Sequence, residues 1–226
     1  MTSNAFISQV IHDFSTPLSV VRLRVDLIRK KPERLTEHLK EIEHQVHHLE
    51  TMVSDLLTLS KLDSGDITTE LRVMSVNEIA TRVYAAYDVL AQHKHIQLYG
   101  DFGADLAPVL ADERQMERVI SNLVSNAVRY TPPHGSILIK TEQVADQIKI
   151  TIEDSGIGIA PEDLPLIFDN FFRADNAQQM AKDGTGLGLS IVQKIVQQHF
   201  GTVEVQSKPG VGSQFTISLQ AWRTKL

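Results

Sequence analysis

Apolar residues in the first quarter of the chain recur at alternating steps of four and three positions, the spacing of helices with a buried seam. This pattern predicts one helix at 4–30 and a second at 33–61. Between them, the polar segment RKKPER contains Pro32, which is placed to end one helix and begin the next. The seam positions are Ile7, Ile11, Phe14, Leu18, Val21, Val25 and Ile28, then Leu35, Leu39, Ile42, Val46, Leu49, Val53 and Leu56.

The two helices predict an antiparallel hairpin, and a hairpin of this length leaves a long apolar stripe on one side. Soluble proteins rarely leave such a stripe in water. Pairing with a second copy covers the stripe and gives a four-helix bundle. We therefore predict a homodimer that is held together by the helical hairpin.

The pattern changes at 61–70, KLDSGDITTE, which has the composition of a linker. Beyond it, helical periods mix with short strand-like runs that pair as hairpins, which predicts an α/β sandwich with helices over a mixed sheet. The chain is thus expected to be multidomain. Helices are predicted at 75–93, 113–131 and 190–200, and strands at 96–100, 108–112, 136–143, 147–154, 202–207 and 213–220.

Composition excludes several classes of protein. The 226 residues include no cysteine, so disulfides, zinc–thiolate sites and thiol nucleophiles are excluded. The formal net charge is −6 and no basic stripe is present, which argues against nucleic acid as a partner. No apolar run approaches the ~20 residues of a membrane span, so we expect no membrane contact by this segment.

The segment VIHDFSTPLSVV at 10–21 breaks the regularity of the first helix. His12 and Thr16 are four residues apart and share a face that points away from the seam, with Asp13 beside them. Pro17 cannot donate to the carbonyl of Asp13, and its ring crowds that carbonyl, so we expect a kink. Such a break beside an exposed His–acid pair is typical of a functional site. The plain alternative is a solvated histidine on a helix surface.

The segment NLVSNAVRYT at 122–131 lies in a strongly helical pattern. Asn122 and Asn126 are four residues apart, so both amides project from one face, and Arg129 and Tyr130 follow within about one turn. Asparagine is unfavourable inside helices, so two on one face suggest a function. An exposed polar helix surface is the alternative.

The segment DSGIGI at 154–159 follows a predicted strand. Asp154 stands at the strand end, and Gly156 and Gly158 are spaced for a tight turn that lets a ligand approach the backbone closely. An ordinary turn would have the same composition.

The segment GTGLGLSIV at 184–192 places Gly184, Gly186 and Gly188 at alternate positions before an apolar helix that is expected to begin near Leu187. Free N–H groups at such a helix start form a site for anions. The spacing differs from the dinucleotide-binding fingerprint, and no GK[ST] follows as in a Walker loop.

Together these segments resemble those of the bacterial sensor histidine kinases. HDFSTPL matches the H-box, NLVSNAVRYT the N-box, DSGIGI the G1 box, IFDNFFRAD the F-box and GTGLGLSIV the G2 box, while GVGSQFTISL resembles the terminal Gly–Thr strand motif. The matches run from about Phe6 to Leu219 in the family's order and spacing. One departure is visible, because Phe14 and Ser15 stand where an aliphatic–basic pair is common.

The resemblance implies that 1–62 form a dimerisation and histidine phosphotransfer domain and 75–226 a Bergerat-type ATP-binding domain, joined by a linker at 63–74. It implies ATP and Mg²⁺ as cofactors and a cytoplasmic location, either free or as part of a membrane-bound sensor. The implied activity is autophosphorylation on His12 and phosphoryl transfer to an Asp of a response regulator receiver domain.

The resemblance also implies roles for residues near the phosphoacceptor. His12 receives the phosphoryl group, and Asp13 accepts a hydrogen bond from its other ring nitrogen. Thr16 matches the pattern in which a threonine orients water for dephosphorylation of the response regulator.

In the second domain the resemblance implies that Asn126, with Asn122 beside it, binds Mg²⁺, and that Asp154 accepts a hydrogen bond from the adenine amino group. The other implied nucleotide-binding residues are Arg129, Tyr130, Gly156, Gly158, Gly184, Gly186, Leu187, Gly188 and Thr216. Residues 173–185 are polar and are predicted to form a lid, in which Arg173 or Lys182 reaches the γ-phosphate or is simply solvated.

Two other functions remain open from the sequence. An ATP hydrolase of the gyrase or chaperone type shares the nucleotide fold, but it carries a Glu that activates water where this chain has Asn122. An amide cannot act as a general base, which disfavours hydrolysis. A non-catalytic dimeric scaffold that holds nucleotide would not need an acid beside His12.

Overall fold

The computed structural model describes residues 3–64, 69–181 and 184–223 of the chain. The chain divides into two compact units, Met1–Ser60 and Lys61–Leu226. No helix in the described ranges is both long enough and apolar enough to span a membrane.

The first unit consists of two long helices joined by a short turn. Helix α1 spans Ser3–Lys30, a single 3₁₀ turn covers Pro32–Arg34, and α2 begins at Leu35 and runs to Ser64. The helices form an antiparallel hairpin, because Nη1 of Arg24 in α1 lies 3.4 Å from Nδ1 of His38 in α2. The predicted hairpin is confirmed, and α2 extends a few residues past its predicted end.

The apolar surface of each helix is wider than the part that is buried where the two helices pack together. Buried and half-buried positions on the inner side of α1 include Val10, Phe14, Pro17, Val21 and Ile28. Other seam positions point outward and are 40–61% exposed: Ile11, Leu18 and Val25 in α1, and Leu39, Val46 and Val53 in α2. Of the predicted seam positions whose burial the structure describes, about half therefore lie inside the hairpin. The six exposed residues named here form a regular stripe on its surface, which we call the outer stripe.

The second unit is a mixed sheet covered by helices on one face. Its five strands lie in the order β2-β4-β5-β7-β6, with β2 parallel to β4 and every other neighbouring pair antiparallel. The predicted α/β sandwich is confirmed. The elements are β1 Arg72–Met74, α3 Val76–His93, β2 Gln97–Phe102, β3 Val109–Ala111, α4 Glu113–Tyr130, β4 Ser136–Val144, β5 Gln147–Asp154, α5 Asp175–Met180, α6 Gly188–Gln198, β6 Thr202–Lys208 and β7 Gly212–Gln220.

The core lies between the sheet and helices α3, α4 and α6. Ile148, Ile150 and Ile152 occupy alternate positions of β5 and are buried, whereas Glu153, which follows Ile152, is exposed. This alternation follows from the two-residue period of a strand with one face on a core. In α4 the buried residues recur every three or four positions, as an amphipathic helix requires.

Two elements of the second unit were not predicted. Strand β1 lies in the segment predicted as a linker and pairs antiparallel with β3 as a separate two-stranded sheet. Helix α5 lies in the segment predicted as a lid. Lys182, one of the two candidates for contact with the γ-phosphate, is outside the described residues.

Candidate nucleotide and phosphoacceptor sites

His12 stands on the exposed surface of α1, with its side chain 77% accessible to solvent. Its Nδ1 lies 3.2 Å from Oδ1 of Asp13. A carboxylate can only accept, so this contact favours the tautomer with the proton on Nδ1. The lone pair of Nε2 then faces solvent, which is the arrangement of a nucleophilic imidazole.

Thr16 and Pro17 follow His12 within the same helix. Oγ1 of Thr16 donates to the carbonyl oxygen of His12 at 3.4 Å. Pro17 is buried and cannot donate to the carbonyl of Asp13, yet α1 continues through it. Ser15 also bonds back to a carbonyl one turn earlier. The exposed face of this turn thus combines the imidazole, the carboxylate and a threonine hydroxyl.

Asp154 ends β5 inside the second unit, and its carboxylate is largely removed from water. Burial raises its pKa from the ordinary value of 3.8 to about 6, against the opposing effect of backbone N–H groups of Gly156 and Ser213 that donate to it. The N–H of Gly156 lies 2.8 Å from Oδ1. A carboxylate that keeps accepting capacity in a partly buried site is suited to bind a donor on a ligand.

The turn after Asp154 is packed against the end of α4. The N–H of Ile157 donates to the carbonyl oxygen of Tyr130 at 3.1 Å. A Cβ at Gly156 would lie 2.4 Å from that same oxygen, so no other residue fits without a shift. Gly158 has a φ of +66° and sits against the backbone of Lys208. The structure therefore brings the end of the N-box and the G1 box together.

The G2 box joins α4 at a different point. Nδ2 of Asn122 donates to the carbonyl oxygen of Gly188 at 3.2 Å, at the first residue of α6. Leu187 is fully buried and precedes the helix, so it anchors the loop in the core. Asn126 and Arg129 lie one and two turns further along α4, both half-buried. The N–H groups of the first turn of α6, which have no acceptor within the helix, can donate to an anion beside these polar side chains.

The F-box anchors the lid segment to the G2 box. The N–H of Phe171 donates to the carbonyl oxygen of Gly186 at 2.9 Å, and Phe171 is buried. Arg173 donates to the carbonyl of Ala181 within the lid, and its guanidinium lies against Gly184. In this conformation these contacts of Arg173 are with other residues of the predicted lid segment.

Thr216 is not brought to Asp154. It pairs with Thr151 across the β5–β7 ladder, with their hydroxyl oxygens 3.3 Å apart, whereas Asp154 pairs with Ser213. Because Thr216 is three positions from Ser213, their side chains leave opposite faces of the sheet. Ser213 is buried next to Asp154 and was missed by the sequence analysis. The signal was the glycine–serine pair at the start of the last predicted strand, opposite the strand end that carries the acid.

Comparison with known families matches both units. Residues 111–223 match the family described as "Histidine kinase-, DNA gyrase B-, and HSP90-like ATPase", and residues 2–65 match the "His Kinase A (phospho-acceptor) domain". The chain belongs to the histidine kinase-, DNA gyrase B- and HSP90-like ATPase family. The match to the phospho-acceptor domain precedes the ATPase match in the chain, which is the domain order expected of a histidine kinase catalytic core.

Individual relatives agree with this assignment. Sensor-like histidine kinase SenX3 of Mycobacterium tuberculosis is 33% identical over 219 residues, which are 96% of this chain and 53% of that protein. The structure of histidine kinase AdeS of Acinetobacter baumannii has a TM-score of 0.75 at 28% identity, covering 93% of this chain and 98% of that one. Histidine kinase ThkA in complex with response regulator protein TrrA has a TM-score of 0.79 at 24% identity, covering 96% and 61%. The chain spans about half the length of the curated relatives it matches.

Proposed function

We propose that the chain is an ATP-dependent protein-histidine kinase that phosphorylates itself on His12 and passes the phosphoryl group to an Asp of a response regulator. The observation that carries this proposal is the exposed imidazole of His12, which has one ring nitrogen held by Asp13 and the other open to solvent. ThkA, which shares the fold, was solved with a response regulator, and this supports a receiver domain as the partner.

The lone pair of Nε2 attacks the γ-phosphorus, the bond from that phosphorus to the bridging oxygen breaks, and ADP leaves with the electron pair. Positive charge develops on the ring of His12 as the N–P bond forms. Asp13 stabilises that charge through the Nδ1–H hydrogen bond and keeps the ring in its reactive tautomer. Phosphoryl transfer needs mainly positioning and electrostatic stabilisation, so an exposed, oriented imidazole is sufficient on the acceptor side.

In the second unit we assign adenine recognition to Asp154, whose carboxylate accepts a hydrogen bond from the exocyclic amino group. The phosphates then lie toward the G2 box and the half-buried side of α4. Arg129 and Tyr130 are assigned to the phosphates, together with the glycine-rich loop at 184–188. Ser213 replaces Thr216 at the adenine end, because only Ser213 lies beside Asp154.

The side-chain chemistry of Asn122 and Asn126 fits a magnesium ion. The amide nitrogen of Asn122 is used by the carbonyl of Gly188, which leaves its oxygen, the donor type Mg²⁺ prefers. When bound, the ion would offset the negative charge of the phosphates. The two asparagines would hold it beside the start of α6.

Hydrolysis of the gyrase or chaperone type is disfavoured by the side chain at 122. Its amide is not a base, and it is held against the backbone of Gly188. Incubation with γ-labelled ATP and Mg²⁺ separates the alternatives. We expect label on the protein that is lost in acid and kept in base. Free labelled phosphate without labelled protein would favour a hydrolase. Absence of both products would favour a non-catalytic scaffold.

We also propose that residues 1–62 dimerise and carry the phosphoacceptor, that residues 75–226 bind ATP, and that residues 63–74 link them in a protein working in the cytoplasm. The outer stripe supports dimerisation, since its seven-residue spacing continues over both helices. The match of residues 2–65 to the phospho-acceptor domain supports the same division.

Val46→Glu is expected to weaken the dimer about 100-fold or more, because it places a charge in the stripe of both copies and removes two valines worth about 1.5 kcal/mol each or more. Sedimentation equilibrium over a concentration series would measure the shift. His47→Glu is the matched control, since His47 is adjacent and its side chain is 82% exposed. A dimer that tolerates Val46→Glu as well as His47→Glu would contradict this interface.

We propose further that the chain dephosphorylates its response regulator with the help of Thr16. Thr16→Ala is expected to lower this phosphatase activity about tenfold or more, since a hydroxyl that positions the attacking water is lost. Autophosphorylation should stay within about twofold of wild type. Ser15→Ala, an exposed hydroxyl on the same turn, is the control. Equal phosphatase activity in Thr16→Ala and Ser15→Ala would overturn this role.

A further inference from the structure

A buried polar junction joins the start of α4 to the end of α6, away from the boxes assigned to the nucleotide. Its members are Asp112, which is 8% exposed, and His199, which is 5% exposed. The backbone N–H of Asp112 donates to Nε2 of His199 at 3.0 Å, and Nδ1 lies 2.8 Å from the carbonyl oxygen of Ile195. A carbonyl only accepts, so Nδ1 carries the proton and both ring nitrogens are satisfied.

The carboxylate of Asp112 makes two further backbone contacts. One oxygen accepts from the N–H of Gln115 at 3.1 Å and caps α4. The other accepts from the N–H of Glu70 at 3.0 Å, in the segment that precedes β1. A single side chain therefore fixes the first turn of α4 and the chain that enters the sandwich.

The same two helices are joined again at the start of α6, which meets the middle of α4. Asn122 in α4 donates to Gly188 at the start of α6, so the helices run antiparallel between two polar ties. Asn122 lies ten positions after Asp112, and His199 lies eleven positions after Gly188. The two intervals correspond to about 15 Å and about 17 Å of helix. The junction at one end thus sets the register in which the N-box faces the G2 box at the other.

The end of α2 contacts the same half of α6. Lys194 forms an ion pair with Asp63. Nε2 of Gln198 lies 3.5 Å from the carbonyl oxygen of Leu62, whose side chain is 7% exposed. These residues belong with α6 to the second compact unit. Chain segments on both sides of residues 65–68 are therefore attached at the junction end of the helix pair.

We propose that Asp112 and His199 are positioning residues that hold α4 and α6 in register and couple the nucleotide site to the segments around Asp63 and Glu70. The proposal rests on the nucleotide site assigned above. A change in those segments would shift α4 against α6 and so alter the position of Asn126 relative to the G2 box. Coupling is reciprocal, so nucleotide binding must also change the stability of the contact at Glu70.

His199→Leu and His199→Gln test the proposal in the full chain. The leucine leaves the N–H of Asp112 without an acceptor, whereas the oxygen of a glutamine can take the place of Nε2. We expect the dissociation constant of a non-hydrolysable ATP analogue with Mg²⁺ to rise about tenfold in His199→Leu and to stay within about threefold of wild type in His199→Gln. Isothermal titration calorimetry measures both values.

Hydrogen exchange of the peptide that contains Glu70, with and without the analogue, gives a second readout. We expect the analogue to slow exchange there several-fold in wild type and to have less effect in Lys194→Gln, which frees Asp63 without opening a buried site. Lys194→Gln keeps the test decisive if His199→Leu does not fold.

Unchanged affinity in a folded His199→Leu, or exchange at Glu70 that ignores the analogue in wild type, would overturn the coupling. Absence of analogue binding by wild type would instead overturn the proposed function.

Discussion

Replacing His12 with glutamine is expected to abolish incorporation of the γ-phosphoryl group, with a loss of more than about 10³-fold, while nucleotide binding stays unchanged. Glutamine is polar and suits a helix, but its amide has no nucleophilic lone pair to replace Nε2. The residues assigned to nucleotide binding lie in the other compact unit. The affinity for the nucleotide should therefore be the same in His12→Gln as in wild type. Retention of labelled phosphate after acid-free electrophoresis measures the first property, and calorimetric titration with an ATP analogue the second.

His47→Gln is a close control for this experiment. His47 is also an exposed histidine near an acid, with Nδ1 3.7 Å from a carboxylate oxygen of Glu50. The plain alternative for His12, a solvated histidine beside an acid, would apply equally to both residues. Full labelling of His47→Gln and none of His12→Gln separates them. Undiminished labelling of His12→Gln would remove His12 from the mechanism.

Asp154→Asn is expected to weaken nucleotide binding at least tenfold and, at the same time, to stabilise the protein without nucleotide. The amide replaces an accepting carboxylate and can present a donor to the adenine amino group, which accounts for the loss. The gain follows from burial, which raises the pKa of Asp154 from 3.8 to about 6. When folding raises the pKa of an acid, the ionised form destabilises the folded state. At pH 7.5 the charge of Asp154 therefore lowers the free energy of unfolding by about 1–3 kcal/mol.

Because the pKa of Asp154 is raised, the effect of this substitution on stability depends on pH. The gain in the free energy of unfolding should be largest above pH 6 and fall to roughly half at pH 5, where the folded wild type is mostly protonated. Wild-type affinity for the nucleotide should itself decline below pH about 6, as the accepting carboxylate of Asp154 is lost. Urea unfolding at both pH values measures stability. Glu153→Gln, at the exposed neighbouring carboxylate, should show only a small part of the gain, because the charge of Glu153 is the smallest of the effects on the pKa of Asp154, and none of the loss. A less stable Asp154→Asn at pH 7.5 would contradict the argument.

The periodicity of the sequence predicted most of the fold, because helices and strands with one buried face impose their period on the residues. The helices of the hairpin and all five strands of the main sheet were found this way. Strand β1 escaped because three residues show no period, and its partner β3 lies far along the chain. The sequence could not distinguish the outer stripe from the residues inside the hairpin, because both follow the same spacing. Only their burial in the structure differs.

The candidate site depended on local motifs, and the contacts between them lay beyond the sequence. Asp154 and the glycines were found as a strand end followed by tight turns. Thr216 was predicted and Ser213 was missed because the register of β7 against β5, which decides the face, is not visible in the residues themselves. The junction of Asp112 and His199 joins residues 87 positions apart, and although Asp112 has the position of a helix N-cap, no local signal pairs it with His199.

Mapping the phosphoryl group in wild type tests the central claim most directly. The protein would be incubated with ATP and Mg²⁺, digested under conditions that keep N–P bonds intact, and its peptides sequenced by mass spectrometry. The account predicts a single added phosphoryl group on His12, stable in base and released in acid. A phosphoryl group on another side chain, or none in protein that binds ATP, would contradict it.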